Sequence, residues 1–214
     1  MKTLIDSLHQ TVKNYAEGEV ITRNMLVDQK ILIIKSGAVF VEVGAVVSDR
    51  DKNVGTVKKA GAYLGLAEFV LKDKAHKAQA TALHRAEVMS VSLSDFNSAY
   101  ERLNAERKLS VMADIGVYLA HDYSNQQIEV ERLFLGDNYS KFRQCLRDVA
   151  KDIGEPVAAG IRFKVGMPTL ARMANVADDT ARVYRTKMMK AGDIARLDRG
   201  HLLLLFGGVE EVTK

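Results

Sequence analysis

The pattern of the chain changes at Ser94-Asp95, and no single fold type accommodates both sides of that change. From Glu19 to Leu93 the sequence consists of short apolar runs broken by turn residues. These runs are Val20–Ile21, Ile31–Ile34, Ala38–Val43, Ala45–Val47, Val54–Val57, Tyr63–Leu66, Ala80–Leu83 and Val88–Val91. That is strand spacing, and the glycines at 18, 37, 44, 55, 61 and 65 stand where tight turns need positive φ. An antiparallel β-roll or jelly roll fits this stretch. A helical bundle does not, because glycine and β-branched residues are frequent throughout it.

Ser94-Asp95 offers a helix cap, and from Phe96 there are few glycines and no proline until Pro156. Between Ala105 and Leu135, the residues Leu109, Met112, Ile115, Leu119, Tyr123, Val130 and Leu133 recur mostly at three- and four-residue steps. This apolar stripe predicts one helix of roughly thirty residues, about 45 Å long at 1.5 Å per residue. A small domain does not need such a helix for its own core. Pairing with a second copy is therefore expected, through Leu109, Met112, Ile115, Leu119 and Tyr123, and packing against the β-roll is the competing use.

Leu135-Gly136-Asp137-Asn138 reads as a hinge, since Gly ends helices and Asp or Asn opens them. A second helix follows from Asn138 to Ile153, with Phe142, Leu146, Val149 and Ile153 on one face and Cys145 as a small buried hydrophobe. The expected division is therefore residues 1–103 as a β-roll domain, 104–137 as the long dimerisation helix and hinge, and 138–214 as a second domain. The fold class is α+β.

Charge supports that division of labour. The 214 residues carry a net charge of +4. Residues 1–138 hold 17 Lys and Arg against 18 Asp and Glu, while 139–214 hold 14 against 9, so the surplus lies in the last third. A polyanion would be held there. With 47% hydrophobic residues, a single Cys145, no long apolar run and no leader-like N-terminus, the chain reads as a cytoplasmic globular protein with no disulfide, no metal and no cofactor.

The segment from Met167 to Gly192 carries the chemistry. Pro168 suits a first helical turn, Asn175 suits the left-handed position that ends a short helix, Asp178 or Asp179 opens the next, and Gly192 stops it. Ile194–Leu197 and His201–Phe206 then flank Asp198-Arg199-Gly200, a hairpin turn that adds a wing to the helix-turn-helix. On the second helix Ala181, Tyr184 and Met188 share one side. The opposite side holds Asp179, Arg182, Val183 and Thr186, which would face base edges in a major groove. Arg182 can donate to guanine, Asp179 can accept from cytosine N4, and Val183 can touch a thymine methyl. Thr180, Arg185 and Lys187 fall on the flanks, where phosphate contacts are natural.

These residues, in this order, resemble the Crp/Fnr family of bacterial transcription regulators. The resemblance is carried by Tyr15-Ala16-Glu17-Gly18-Glu19-Val20-Ile21, by Ile31-Leu32-Ile33-Ile34-Lys35-Ser36-Gly37, by Gly61-Ala62-Tyr63-Leu64-Gly65, and by the long helix followed by the winged helix. It implies a homodimer joined through its central helix, a β-roll that senses an effector, a winged helix that reads a two-fold duplex DNA site, and RNA polymerase as a further partner. The effector pocket it implies is a degenerate one, formed by Gly65, Leu66, Ala67, His76, Lys77 and Ala78. Cyclic-nucleotide receptors of the family place a Glu after the glycine matching Gly65 and an Arg about ten residues on. Here those places hold Leu66 and His76, with Glu68 and Lys77 nearby.

Losing a charge-assisted phosphate pair costs about 2–5 kcal/mol, so control by cyclic AMP is not expected. One cysteine is too few for the cluster of the family's oxygen sensors, and His76, His84 and His121 are only formal candidates for a haem ligand. The resemblance also aligns the family's base-reading Arg, Glu and Arg with Asp178, Asp179 and Val183, and a phosphate-contacting Thr with Thr180. The operator should therefore differ from the family's commonest half-site. No phosphate loop, nucleophile elbow or metalloprotease motif points to an enzyme. The alternative use of the same fold is a ligand- or partner-binding module whose winged helix no longer reads DNA sequence.

Overall fold

The computed structural model describes residues 1–23, 28–44, 53–71, 78–134, 136–197 and 200–205. They group into two compact units, Met1–Lys52 with Thr56–Val130 and Asn53–Gly55 with Glu131–Lys214.

The chain opens with the short helix α1 (Lys2–Asp6) and the strands β1 (Thr11–Tyr15), β2 (Val20–Thr22), β3 (Lys30–Ser36), β4 (Ala38–Gly44), β5 (Asn53–Lys59) and β6 (Tyr63–Leu64). Helix α2 (Leu66–Leu71), strands β7 (Ala78–Ala82) and β8 (Ala86–Ser92), and helices α3 (Leu93–Glu101) and α4 (Ala105–Phe134) complete the order. The strands form two four-stranded sheets, β1-β8-β3-β6 and β2-β7-β4-β5. Period-two burial explains the layering. Leu32, Ile34, Ala86 and Val88 of the first sheet meet Val39, Val41, Ala78, Ala80 and Ala82 of the second in one core. The alternate residues Ile31, Ile33, Met89 and Val91 point the other way, onto Leu4, Ile5, Leu66, Phe96, Val111 and Ile115 of the helices.

Two local readings are corrected. The run Tyr63–Leu66 is not all strand: β6 ends at Leu64 because Gly65 takes φ +88°, and Leu66 turns into α2. The cap of α3 is Ser92 rather than Ser94 or Asp95, since the Ser92 hydroxyl accepts the Asp95 N–H at 3.4 Å. Strand β1 gave no apolar signal because it is an edge strand, exposed along most of its length. Ala45–Val47 lie outside the described residues.

In the second unit, helix α5 (Asn138–Ile153) precedes strands β9 (Glu155–Val157) and β10 (Gly160–Phe163), helices α6 (Met167–Met173) and α7 (Asp178–Ala191), and strands β11 (Ile194–Arg196) and β12 (Leu202–Leu205). The sheet order is β11-β12-β10-β9, all antiparallel. Its apolar side and the three helices share a core of Phe142, Leu146, Val149, Phe163, Leu170, Met188, Ile194 and Leu204. Cys145 is half-buried against that core. Strands β9 and β10 were not read from sequence, because Glu155-Pro156-Val157 is too short and polar to stand out.

Candidate nucleic-acid interface

Helices α6 and α7 are joined by a tight turn whose geometry follows from its residues. Gly166 precedes α6 in extended conformation, and Pro168 sits in its first turn. Asn175 adopts φ 52°, and the Val176 N–H returns to the Ala171 carbonyl at 3.0 Å. Asn tolerates this left-handed position better than most residues do. Helix α7 ends at Gly192, with φ 78° and its N–H on the last carbonyls. Asp178 and Asp179 are not the cap: Ala177 holds that place without a side-chain bond, and both acids lie in the first turn, where they complement the helix dipole.

Three sides of α7 have different surroundings. Ala181 and Met188 are buried and Tyr184 packs beside them, which fixes the inward side. Asp179, Arg182, Val183 and Thr186 are exposed, Val183 to 64%. They form a continuous outward strip. Within it the Arg182 Nη1 donates to Asp179 Oδ1 at 3.4 Å, and the Thr186 hydroxyl donates to the Arg182 carbonyl at 2.9 Å. Lys190 continues the strip as an exposed cation in the last turn. Sequence reasoning passed over Lys190, although its spacing from Thr186 and Val183 would have placed it there.

The flanking residues divide. Thr180 is half-buried and Lys187 exposed on one side. The Lys187 Nζ stands 3.9 Å from the centre of the Tyr139 ring. Tyr139 lies edge-on to Tyr184, with centroids 5.4 Å apart, and burial pushes its phenol above the ordinary range. Arg185 turns toward the body of the unit instead: it is half-buried, and its Nε is buried without a hydrogen-bond partner among the described residues.

The position of α7 is set by α5. Asp137 caps α5 by accepting the N–H groups of Tyr139 at 2.8 Å and Ser140 at 3.2 Å and the Ser140 hydroxyl at 2.8 Å. These bonds, the Ser140 hydroxyl foremost, hold its carboxyl below the usual range. One turn later Arg143 forms a two-pronged pair with Asp193, at 3.1 Å and 2.9 Å. Asp193 is buried at the joint between α7 and β11. Strand β11 then pairs antiparallel with β12 in a hairpin whose tip residues Asp198 and Arg199 lie outside the described residues.

In the first unit two of the expected effector residues, Leu66 and Ala78, belong to different cores. Gly65 is buried, and a Cβ there would lie 2.3 Å from the Lys30 carbonyl oxygen. Leu66 is 1% exposed in the core beneath the helices, whereas Ala78 belongs to the core between the sheets. Leu66 therefore does not line a space shared with Ala78. Ala67 is half-buried, and His76 and Lys77 lie outside the described residues.

Helix α4 also separates its predicted stripe. Asn104 begins it by accepting the Arg107 N–H at 2.9 Å. Ile115 is fully buried in the unit's own core, with Val111 beside it and Met112 and Leu119 half-buried. Leu109 and Tyr123 are 72% and 64% exposed. Ile115 is committed within the chain, and an exposed strip runs instead through Leu109, Ala113, Gly116, Ala120 and Tyr123 at four- and three-residue steps. Among the described residues no helix is long and apolar enough to cross a membrane, and no group of three His, Cys, Asp or Glu is placed to hold a metal ion.

No family model and no curated protein matches the sequence. Solved structures do match. The c-di-GMP-responsive global regulator CLP of Xanthomonas campestris superimposes with a TM-score of 0.73 at 17% identity, covering 95% of this chain and 96% of that one. A CRP-family transcriptional regulator from Thermus thermophilus, TTHB099, gives 0.68 at 19% identity over 90% and 91%. The chain's structural neighbours are Crp/Fnr transcription regulators. FixK2 from Bradyrhizobium japonicum aligns comparably, with a TM-score of 0.63 at 14% identity over 92% and 93%. The chain therefore has a Crp/Fnr-like fold of mixed helix and sheet.

Proposed function

We propose that the chain is a homodimeric, sequence-specific DNA-binding transcription regulator of the Crp/Fnr type, working in the cytoplasm, and that cyclic AMP does not control it. The observation that carries this reading is the outward strip of α7. Four side chains able to read base edges stand exposed in a row while the same helix buries Ala181 and Met188. Arg182 supplies the guanine donor, Val183 the thymine-methyl contact, and Asp179 an acceptor for cytosine N4. Lys187, Thr180 and Lys190 supply phosphate contacts, and the β11–β12 hairpin serves as the wing. Arg185, with its buried Nε, positions more than it touches.

Two copies would pair along Leu109, Ala113, Gly116, Ala120 and Tyr123, where the small residues permit close approach. The two α7 helices would then meet successive major grooves about 34 Å apart. Residues Gly136–Asn138 are the point about which the second unit would be re-aimed, and RNA polymerase is the further partner this reading implies. The case against cyclic AMP is Leu66: a buried aliphatic stands where the family's receptors hold the ribose hydroxyl with a carboxylate.

Selection of bound duplexes from a random pool at about 0.15 M salt tests the reading, because phosphate binding is salt-dependent. A palindromic site with half-sites one turn apart is expected without added nucleotide, and Arg182→Glu should abolish binding to it. Failure to enrich any site, both alone and with cyclic AMP or c-di-GMP added, would favour the module that no longer reads DNA.

A further inference from the structure

Lys187 is a flank cation of α7 whose charge is held without being cancelled. Its ammonium lies 3.9 Å from the centre of the Tyr139 ring, and no carboxylate among the described residues pairs with it. A carboxylate would fix a lysine but neutralise it, whereas an aromatic face fixes the cation and leaves its full charge for an incoming anion.

The ring that does this is itself fixed. The Tyr139 N–H is bound by the Asp137 cap at 2.8 Å, its ring edge meets Tyr184 at 5.4 Å, and Tyr184 leans on the buried Phe142 at 5.8 Å. Tyr184 belongs to the inward side of α7, so one aromatic stack links the first turn of α5 to the helix that carries Lys187. Lysine otherwise has a long flexible stem whose freedom must be surrendered on binding phosphate.

We propose that Tyr139 is a positioning residue for DNA binding, holding the Lys187 ammonium ready for a backbone phosphate at the edge of the half-site. This rests on the DNA-binding reading above. Because phosphates carry no sequence information, the pair sets affinity and leaves the selected sequence unchanged.

The test measures binding of the selected duplex by fluorescence anisotropy across a salt series, for the full chain and the variants Tyr139→Leu, Tyr139→Phe, Lys187→Met and Tyr139→Leu/Lys187→Met. A cation–ring contact of this kind corresponds to a loss of about two- to fivefold in affinity for Tyr139→Leu. Tyr139→Phe should retain wild-type affinity, since the ring face remains. Lys187→Met should lower the slope of log K against log salt by about one phosphate contact. In the Lys187→Met background Tyr139→Leu should cost nothing further, and the selected site should be the same throughout.

Independent, additive losses from the two single variants, or a loss in Tyr139→Phe equal to that in Tyr139→Leu, would overturn the proposal while leaving DNA binding intact. Wild-type protein that binds no duplex would overturn both readings together. Lys187 is exposed, so Lys187→Met keeps the test valid even if Tyr139→Leu proves unstable.

Discussion

The Tyr118 hydroxyl accepts the Tyr63 N–H at 2.8 Å and donates to the Tyr63 carbonyl at 2.8 Å, so a single phenol on α4 satisfies both main-chain groups of one residue in β6. The rings also meet edge-to-face at 5.3 Å. Tyr63 pairs with Ile33 on one side only, because β6 is an edge strand, and Tyr118 supplies the partner that a further strand would have supplied. A few residues away the buried Lys58 ammonium pairs with Asp122, which also accepts from Gln126 at 2.9 Å. Helix α4 is thus tied to the segment that leads into Gly65 and α2.

Tyr118→Phe keeps the ring and removes both bonds. Two main-chain groups are then left without their partner, and the expected loss is about 1–3 kcal/mol. Urea unfolding should show a lower midpoint with an unchanged slope. Unchanged stability would mean that water replaces the hydroxyl at no cost.

The burial of the same phenol predicts alkaline behaviour. Burial, outweighing the Tyr63 backbone bond, raises the Tyr118 phenol to about 12. The folded state favours the neutral form, so the stability this group contributes is complete below the unfolded value of about 10 and is lost as pH rises toward 12. Absorbance titration should show a tyrosine that ionises well above the others, and Tyr118→Phe should remove that step.

Gly65→Ala should be destabilising although alanine is small. The residue has φ +88°, which costs an alanine roughly 1–2 kcal/mol, and its Cβ would also lie 2.3 Å from the Lys30 carbonyl oxygen. Gly18→Ala is the control, with φ +78° and nothing within 4 Å of the added carbon. A Gly65→Ala melting point no lower than that of Gly18→Ala would contradict the clash.

Arg143 and Asp193 are partly shielded, with side chains 29% and 12% exposed. Their coupling should therefore exceed the roughly 0–1 kcal/mol of an exposed pair and fall short of the roughly 3–5 kcal/mol lost on breaking a buried one. A double-mutant cycle on Arg143→Ala and Asp193→Ala measures it. A coupling near zero would show that the joint after α7 is held by its main-chain bonds alone.

The strand runs and helices were legible where periodicity was strong: Ala181, Tyr184 and Met188 face inward on α7, as their spacing requires. The ends were less legible, because Ser92 and Ser94 are both good caps and only the folded geometry chooses between them, through the extended backbone of Ser92 and its bond from the Asp95 N–H. The long helix shows a deeper limit. Its apolar residues serve two partners, and the wheel alone does not say that Ile115 is inward while Leu109 is outward, since Ala and Gly carry little apolar signal. The half-burial of Arg185 and the Lys187–Tyr139 contact depend on α5, far away in sequence, and no local pattern announces them.

That division of α4 yields the last prediction. In the free chain a Cβ at Gly116 meets nothing within 4 Å, so Gly116→Val costs the monomer only helix propensity. Between two closely packed helices the added methyl groups would hold the pair apart. Leu109→Glu with Tyr123→Glu should have the same effect by placing like charges where two apolar strips meet, at positions already 72% and 64% exposed. Ile115→Ala should behave in the opposite way. It removes a fully buried side chain, costing about 2–5 kcal/mol of fold stability, and leaves the exposed strip intact. Sedimentation velocity should therefore show monomer for Gly116→Val and for the double glutamate variant, and dimer for Ile115→Ala below its melting point. A wild-type monomer at micromolar concentration, or a dimer that survives both strip variants, would place the two-fold contact elsewhere.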